Sequence, residues 1–220
     1  MPLTVELETV RDTARDSVNR FVEATVALSE YDLLGASRCH GWSRLDVVVH
    51  VINGWAEMLG GLVSRADRPT TVDAASYWAV FTEQYGDDDP VATLMSQRRR
   101  ASAYLRPASA VEQLRDVAAM VDRGVHNLTE GHYLWQDCVF TAGDFLAIWT
   151  VEDVIHQLDL DSPVAPPAAG LTLARRTVEA IVGQPLPADW SDTEAVLVGV
   201  GRESAERAPA EVRDLLPALG

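Results

Sequence analysis

Apolar residues recur at steps of three and four along most of this chain, which is the signature of amphipathic helices. Residues 4–30 carry Val10, Ala14, Val18, Phe21, Val22, Thr25 and Leu28 on one face, with Asp12, Arg15, Asp16 and Arg20 on others, so the pattern predicts one long helix that breaks at Gly35 and Ala36. Ser43 then offers a cap, with Asp46 three residues on, for a helix from about Arg44 to Arg65. Gly54, Gly60 and Gly61 weaken that helix and point to close packing or fraying. Ala74 to Tyr85 reads as a short helix, and Asp87-Asp88-Asp89-Pro90 as a turn and helix start. Val91 to Tyr104 and Ala108 to Leu128 are further helices separated at Pro107, and residues 130–141 are loop or short extended structure. Asp144 to Leu160 is helical and is closed off by Pro163, Pro166 and Pro167. Leu171 to Val182 follows, with short elements around Trp190–Gly201 and Pro209–Leu216. Long helical periods with few alternating stretches imply an all-α bundle of about four main helices.

Composition narrows the function classes. The 220 residues suit one domain, or one with a small appendage, and 47% hydrophobic with 23% charged is ordinary for a globular protein. A formal net charge of -15 argues against nucleic acid and anionic membranes as partners, since phosphate surfaces need a cationic face. Arg98-Arg99-Arg100 is the one short basic run, read as a solvated helix face or the lip of an anion site. All 18 basic residues are arginine, as a GC-rich genome would produce. Cys39 and Cys138 are too few and too far apart for a disulfide framework or a zinc knuckle. The first residues lack the basic start and apolar core of a signal peptide, and no long apolar run suggests a membrane span, so a cytoplasmic location is expected.

The candidate chemistry sits at Glu152 and His156. Positions i and i+4 on a helix share a face, so a carboxylate and an imidazole can point at one metal ion. The same spacing also fits a surface glutamate beside a hydrogen-bonded histidine. His50 follows Val47, Val48 and Val49 and so lies on or near a buried face; there it is either bonded to a carbonyl or a third ligand. Two histidines and one glutamate would leave coordination positions open for water or substrate. His126 is placed near a helix end and His40 and His132 in loops, away from this set. Asp159 could orient the His156 ring or form a surface pair, whereas Asp153 points about 100° from Glu152 on an ideal helix. No glycine-rich phosphate loop is present, and neither cysteine has a base partner in sequence.

Two stretches carry a family resemblance. Cys39-His40-Gly41-Trp42-Ser43-Arg44-Leu45-Asp46-Val47-Val48-Val49-His50 and Glu152-Asp153-Val154-Ile155-His156-Gln157-Leu158-Asp159-Leu160 resemble, in order and spacing, the DinB-like metalloenzyme superfamily and within it the mycothiol-dependent maleylpyruvate isomerase family. The segment from Pro187-Ala188-Asp189-Trp190 to Gly199-Val200-Gly201-Arg202 resembles the ending of short family members. The resemblance implies an all-α, DinB-like four-helix bundle over 1–162, with a short C-terminal extension over 163–220 packed on it. It implies a divalent metal, usually zinc, held by His50, Glu152 and His156, and a low-molecular-weight thiol such as mycothiol as cosubstrate. A metal-acidified thiol adds to an electrophilic carbon of a small substrate; elimination of the thiol gives isomerisation and retention gives a conjugate.

The chain departs from the family at two points. Trp149 stands where members often carry an arginine three residues before the glutamate, and the tail is far shorter than the α+β domain of the full-length isomerase. Arg202, in that tail, is the candidate catalytic residue, placed to bind a substrate carboxylate; a salt bridge is the competing assignment. Two other functions stay open. A thiol-independent Lewis-acid metalloenzyme of a specialised biosynthetic pathway would use Trp149, Tyr77, Trp78, Phe81 and Tyr85 as an apolar pocket, although these aromatics fit a core better. A non-catalytic binding bundle would carry no metal. A homodimer through the first helix is compatible with the pattern.

Overall fold

The computed structural model describes residues 1–86 and 89–219. Asp87 and Asp88 of the expected turn lie outside the described residues, as does the side chain of Tyr85. The helix predicted over 4–30 is α1, Leu7–Val26, and a further short helix, α2, Glu30–Leu34, precedes the break at Gly35. The division falls at Ser29, whose hydroxyl accepts from the Asp32 N–H while the Asp32 carboxylate accepts from the Ser29 N–H. That reciprocal cap ends α1 a few residues early and starts a helix that the apolar spacing over 4–30 does not predict.

The α3 helix, Arg44–Val63, opens with the same device at Ser43 and Asp46, as expected from the sequence. The α4 helix covers Ser76–Tyr85 and α5 covers Pro90–Ala101, with the Asp89 side chain accepting from the Val91 N–H ahead of Pro90. Pro107 does not merely interrupt; it is the first residue of α6, Pro107–Asn127, where its missing N–H costs nothing. The 130–141 stretch resolves into an antiparallel hairpin, β1 His132–Trp135 and β2 Cys138–Thr141. Its two-residue turn, Gln136-Asp137, has positive φ at both positions, the conformation whose twist matches hairpin strands. His132 is therefore a strand residue, and its Nδ1 lies 2.7 Å from the Arg68 carbonyl oxygen.

The α7 helix, Ala142–Asp159, is the centre of the molecule. The four long helices α1, α3, α6 and α7 form a closed ring of contacts: α1 meets α6 and α7, and α3 meets the same two. This is the all-α DinB-like four-helix bundle. After α7 come α8 (Ala168–Val182), α9 (Asp192–Gly199), a 3-10 turn at Ala205–Arg207, and α10 (Ala210–Arg213). The α8 helix covers α7 and α1, and α9 packs on α8 and α7. Covered from so many directions, α7 is buried almost all round, without the polar stripe of a surface helix. One continuous hydrophobic cluster runs from Leu3 through Phe21, Trp55, Leu114 and Phe145 to Val178 and Val196.

Gly54 and Gly61 of α3 mark close packing rather than fraying, whereas a Cβ on Gly60 would meet nothing within 4 Å. A Cβ on Gly61 would stand 2.4 Å from Phe145 Cζ, and one on Gly54 would stand 3.2 Å from Trp149 Cζ3. The aromatic rings of α7 thus lie directly on the α3 backbone. The partners run in opposite order, Gly54 with Trp149 and Gly61 with Phe145, so the two helices are antiparallel. That register brings His50, one turn before Gly54, level with His156.

Candidate metal centre

A helix buried on all sides must find partners for every polar group it carries. On α7, Thr150 donates to the Leu146 carbonyl at 2.8 Å, and the Gln157 amide nitrogen donates to the Val164 carbonyl at 3.0 Å. Asp153, beside Glu152, turns the other way and accepts from Trp55 Nε1 at 2.8 Å. Burial raises the Asp153 pKa to about 8 against the pull of that hydrogen bond. Glu152, His156 and Asp159 share the remaining face.

His156 is held at both ring nitrogens. Its Nδ1 lies 3.2 Å from Asp159 Oδ2 and its Nε2 lies 3.1 Å from Glu152 Oε2. The His50 ring packs edge-on against it, with centroids 4.7 Å apart at 72°. Trp42 closes the other side of His50 at 5.3 Å. One donor atom each from His50, Glu152 and His156 lies within 4.8 Å of the others, and among the described residues this is the cluster that could hold a metal ion. His40 and His126 are exposed and stand apart, as does His132.

The electrostatics of the three side chains differ. Burial pushes the His50 pKa down to about 4, with the neighbouring His156 adding to the effect, so His50 is neutral and ready to ligate. Burial also opposes charge on His156, but hydrogen bonds to Asp159 and Glu152 outweigh it and raise its pKa to about 9. Burial works against charge on Glu152 and Asp159 too; the His156 hydrogen bond overrides it, and both carboxylates stay ionised. The protonated ring thus donates from Nε2 to Glu152.

The donor set fits a divalent ion. Two imidazole nitrogens and one carboxylate oxygen are donor types that zinc takes at about 2.0–2.2 Å, and here one of each residue's donors lies within 4.8 Å of the others. Asp159 on Nδ1 fixes the His156 ring so that Nε2 faces Glu152 and His50, the usual role of a carboxylate behind a ligating imidazole.

Arg202 reaches this cluster from the C-terminal segment, but its partner is protein. Its Nε donates to Asp159 Oδ1 at 2.8 Å, its Nη2 to Asp159 Oδ2 at 3.2 Å, and its Nη1 to the Val200 carbonyl at 3.1 Å. Asp159 is fully buried. Sequence reasoning placed both residues near the site and did not join them, because a contact across 43 positions leaves no periodic trace. The Trp55–Asp153 bond was also missed; its signal was an acid between Val151 and Val154 on an otherwise apolar helix.

Trp149 lies one turn ahead of Glu152. Its ring lies tilted against Trp135 at 4.9 Å and edge-on to Phe145 at 6.4 Å, and its indole N–H is buried without an acceptor. Tyr77 and Trp78 are buried in the core, and Tyr77 also meets Phe81, Trp135 and Phe140. Tyr77 and Trp78 of α4 are thus core residues, with half-buried Phe81 against them, and Tyr77 connects through Trp135 to Trp149. Burial raises the Cys39 thiol pKa, which removes it as a ready nucleophile.

Known proteins supply a comparison. The family model described as mycothiol maleylpyruvate isomerase N-terminal domain matches residues 14–161. A crystal structure of mycothiol-dependent maleylpyruvate isomerase shares the fold, with 16% identity over 81% of this chain and 70% of that chain and a TM-score of 0.55. A second crystal structure, of a mutant of that enzyme with one histidine changed to alanine, gives a TM-score of 0.56 at the same identity and coverage. No curated protein sequence matches the chain.

Proposed function

This chain belongs to the mycothiol maleylpyruvate isomerase N-terminal domain family, and from that premise we propose that it is a metal-dependent thiol transferase or isomerase acting on a small electrophile with mycothiol or a similar thiol. The observation that carries the proposal is the convergence of His50, Glu152 and His156 from two antiparallel helices. Zinc suits the two nitrogens and one oxygen, and the three residues leave a further coordination position open. When bound, a divalent ion lowers the pKa of a coordinated thiol and so supplies a nucleophilic sulfur at neutral pH.

The chain's own residues prepare that chemistry. Asp159 holds the His156 proton on Nδ1 and leaves Nε2 for the ion. Glu152 keeps about 30% of its side chain exposed, so the site opens to small molecules at that edge. Trp42 packs edge-on to His50, and Trp149, one turn ahead of Glu152, packs on Trp135, so apolar rings flank the approach to the ligands.

The test is metal analysis of purified protein followed by turnover of model electrophiles with and without mycothiol. Stoichiometric zinc and thiol-dependent turnover are expected. Absence of stoichiometric metal would overturn the metal assignment. The Trp149–Trp135 wall, which presents rings and no fixed charge, favours a second reading in which the ion polarises a carbonyl substrate without a thiol; equal rates with and without mycothiol would select it.

A further inference from the structure

We propose that Arg202 is a positioning residue for the metal ligand His156, acting through Asp159, so that the C-terminal segment completes the metal centre. The inference rests on the metal reading above and adds a role for a part of the chain that the family match, ending at residue 161, does not cover.

The geometry carries it. A fully buried carboxylate needs a cation or several hydrogen-bond donors to remain ionised there. Asp159 takes two bonds from Arg202 in a fork, one on each oxygen, and the oxygen it shares with Nη2 also faces His156 Nδ1. Each guanidinium nitrogen already has a protein acceptor, because Nη1 is bound to the Val200 carbonyl. Three of the five N–H groups of Arg202 are thus committed to protein acceptors, and the edge that forks a carboxylate is already taken by Asp159. Its effect is on the ring behind it: with Asp159 fixed, His156 has one orientation.

Arg202 is itself held in place. Its backbone N–H donates to the Leu197 carbonyl at 2.8 Å, in a turn made by Gly201 at φ +69, a conformation glycine adopts without strain. The Gly199 carbonyl accepts from the N–H groups of Ala218 at 2.8 Å and Leu219 at 3.0 Å, which ties the same turn to the end of the chain. The α9 helix before it rests on α7 and α8. The side chain that locks Asp159 is therefore fixed at its base by backbone bonds.

The experiment uses the full chain stripped of metal. Zinc affinity is measured by competition with a chromophoric chelator for wild type, Arg202→Met, Arg202→Lys and Asp159→Asn, alongside the Tm of each metal-free protein. Arg202→Met and Asp159→Asn should each weaken zinc binding by about 10–100-fold. Arg202→Lys should recover part of the loss, since one ammonium cannot bridge both oxygens as a guanidinium does. The double variant should be no weaker than the weaker single one, because both act on one ring. Should Arg202→Met fail to fold, the near-isosteric Asp159→Asn and the conservative Arg202→Lys decide the matter.

Zinc affinity within twofold of wild type in the folded variants overturns the proposal, whatever happens to their metal-free Tm. Unchanged zinc affinity with a raised KM for an anionic electrophile would overturn it in favour of substrate binding by Arg202. Wild type that takes up no zinc overturns the metal reading and this inference together, whereas wild type that binds zinc as tightly as its variants removes this inference alone.

Discussion

His50 is the one candidate ligand that α3 contributes, and it reaches the cluster as a neutral imidazole. His50→Ala should abolish stoichiometric zinc while leaving helix content unchanged, because its ring lies at the half-buried edge of α3 and the core positions Val47, Val48 and Val49 are untouched. Metal analysis with far-ultraviolet circular dichroism checks both halves; retained stoichiometric zinc would dismiss the ligand assignment. At this scale the sequence was informative where spacing encodes direction. Glu152 and His156 share a face because they are one turn apart, and the valines ahead of His50 placed it at a buried face. Contacts between distant segments had no such code. Arg202 and Asp159, or Trp55 and Asp153, are joined by the tertiary fold, and only the presence of acids on a buried helix hinted that partners existed.

Elements were legible from their capping residues and ran into error where two caps lay close. Ser43 with Asp46 marked the start of α3, whereas Ser29 with Asp32 sat at the end of a continuous apolar rhythm and cut it short. The hairpin strands have only four residues each, too short for alternation to register. Two predictions belong here. Gly61 lets Phe145 lie on the α3 backbone, so Gly61→Ala should destabilise the bundle by about 1–3 kcal/mol, the usual cost of overpacking a core. Chemical denaturation measures it, and Gly61→Ala combined with Phe145→Leu should recover part of the loss. The second concerns how α2 docks on α6. Glu30 forms an ion pair with Arg106 and accepts from the Ala108 N–H at 3.1 Å at the start of α6. The Arg106 hydrogen bond, then the Ala108 N–H, lower its pKa to about 2. Because the folded value is depressed, the stabilisation is present above the ordinary carboxylate range and is lost as pH falls toward 2. Tm curves of wild type and Glu30→Gln should therefore be separated at pH 6 and converge between pH 4.5 and 2; a separation that persists at pH 2 would refute the linkage.

At the scale of the whole molecule, the four-helix bundle and the C-terminal helices share one core, and the candidate ligands sit where α3 and α7 are held in register by rings on glycine. A zinc ion at that point would tie α3 to the central helix and would lose its site when the two separate on unfolding. Ligand that binds the folded chain alone stabilises it by mass action, about 2.7 kcal/mol at a free concentration 100 times Kd. For a chain of 220 residues, each kcal/mol moves Tm by about 2–4 °C. Zinc at that excess should thus raise Tm by about 5–11 °C over the metal-free protein, in one cooperative transition that includes α8 and α9. The shift should vanish in His50→Ala at the same zinc concentration, which separates ligation by the cluster from loose binding to surface carboxylates on a chain of net charge -15. Scanning calorimetry with and without zinc distinguishes the cases. An equal shift in wild type and His50→Ala would place the ion elsewhere. A second, zinc-independent transition would show that the C-terminal helices unfold apart from the bundle whose central helix they cover.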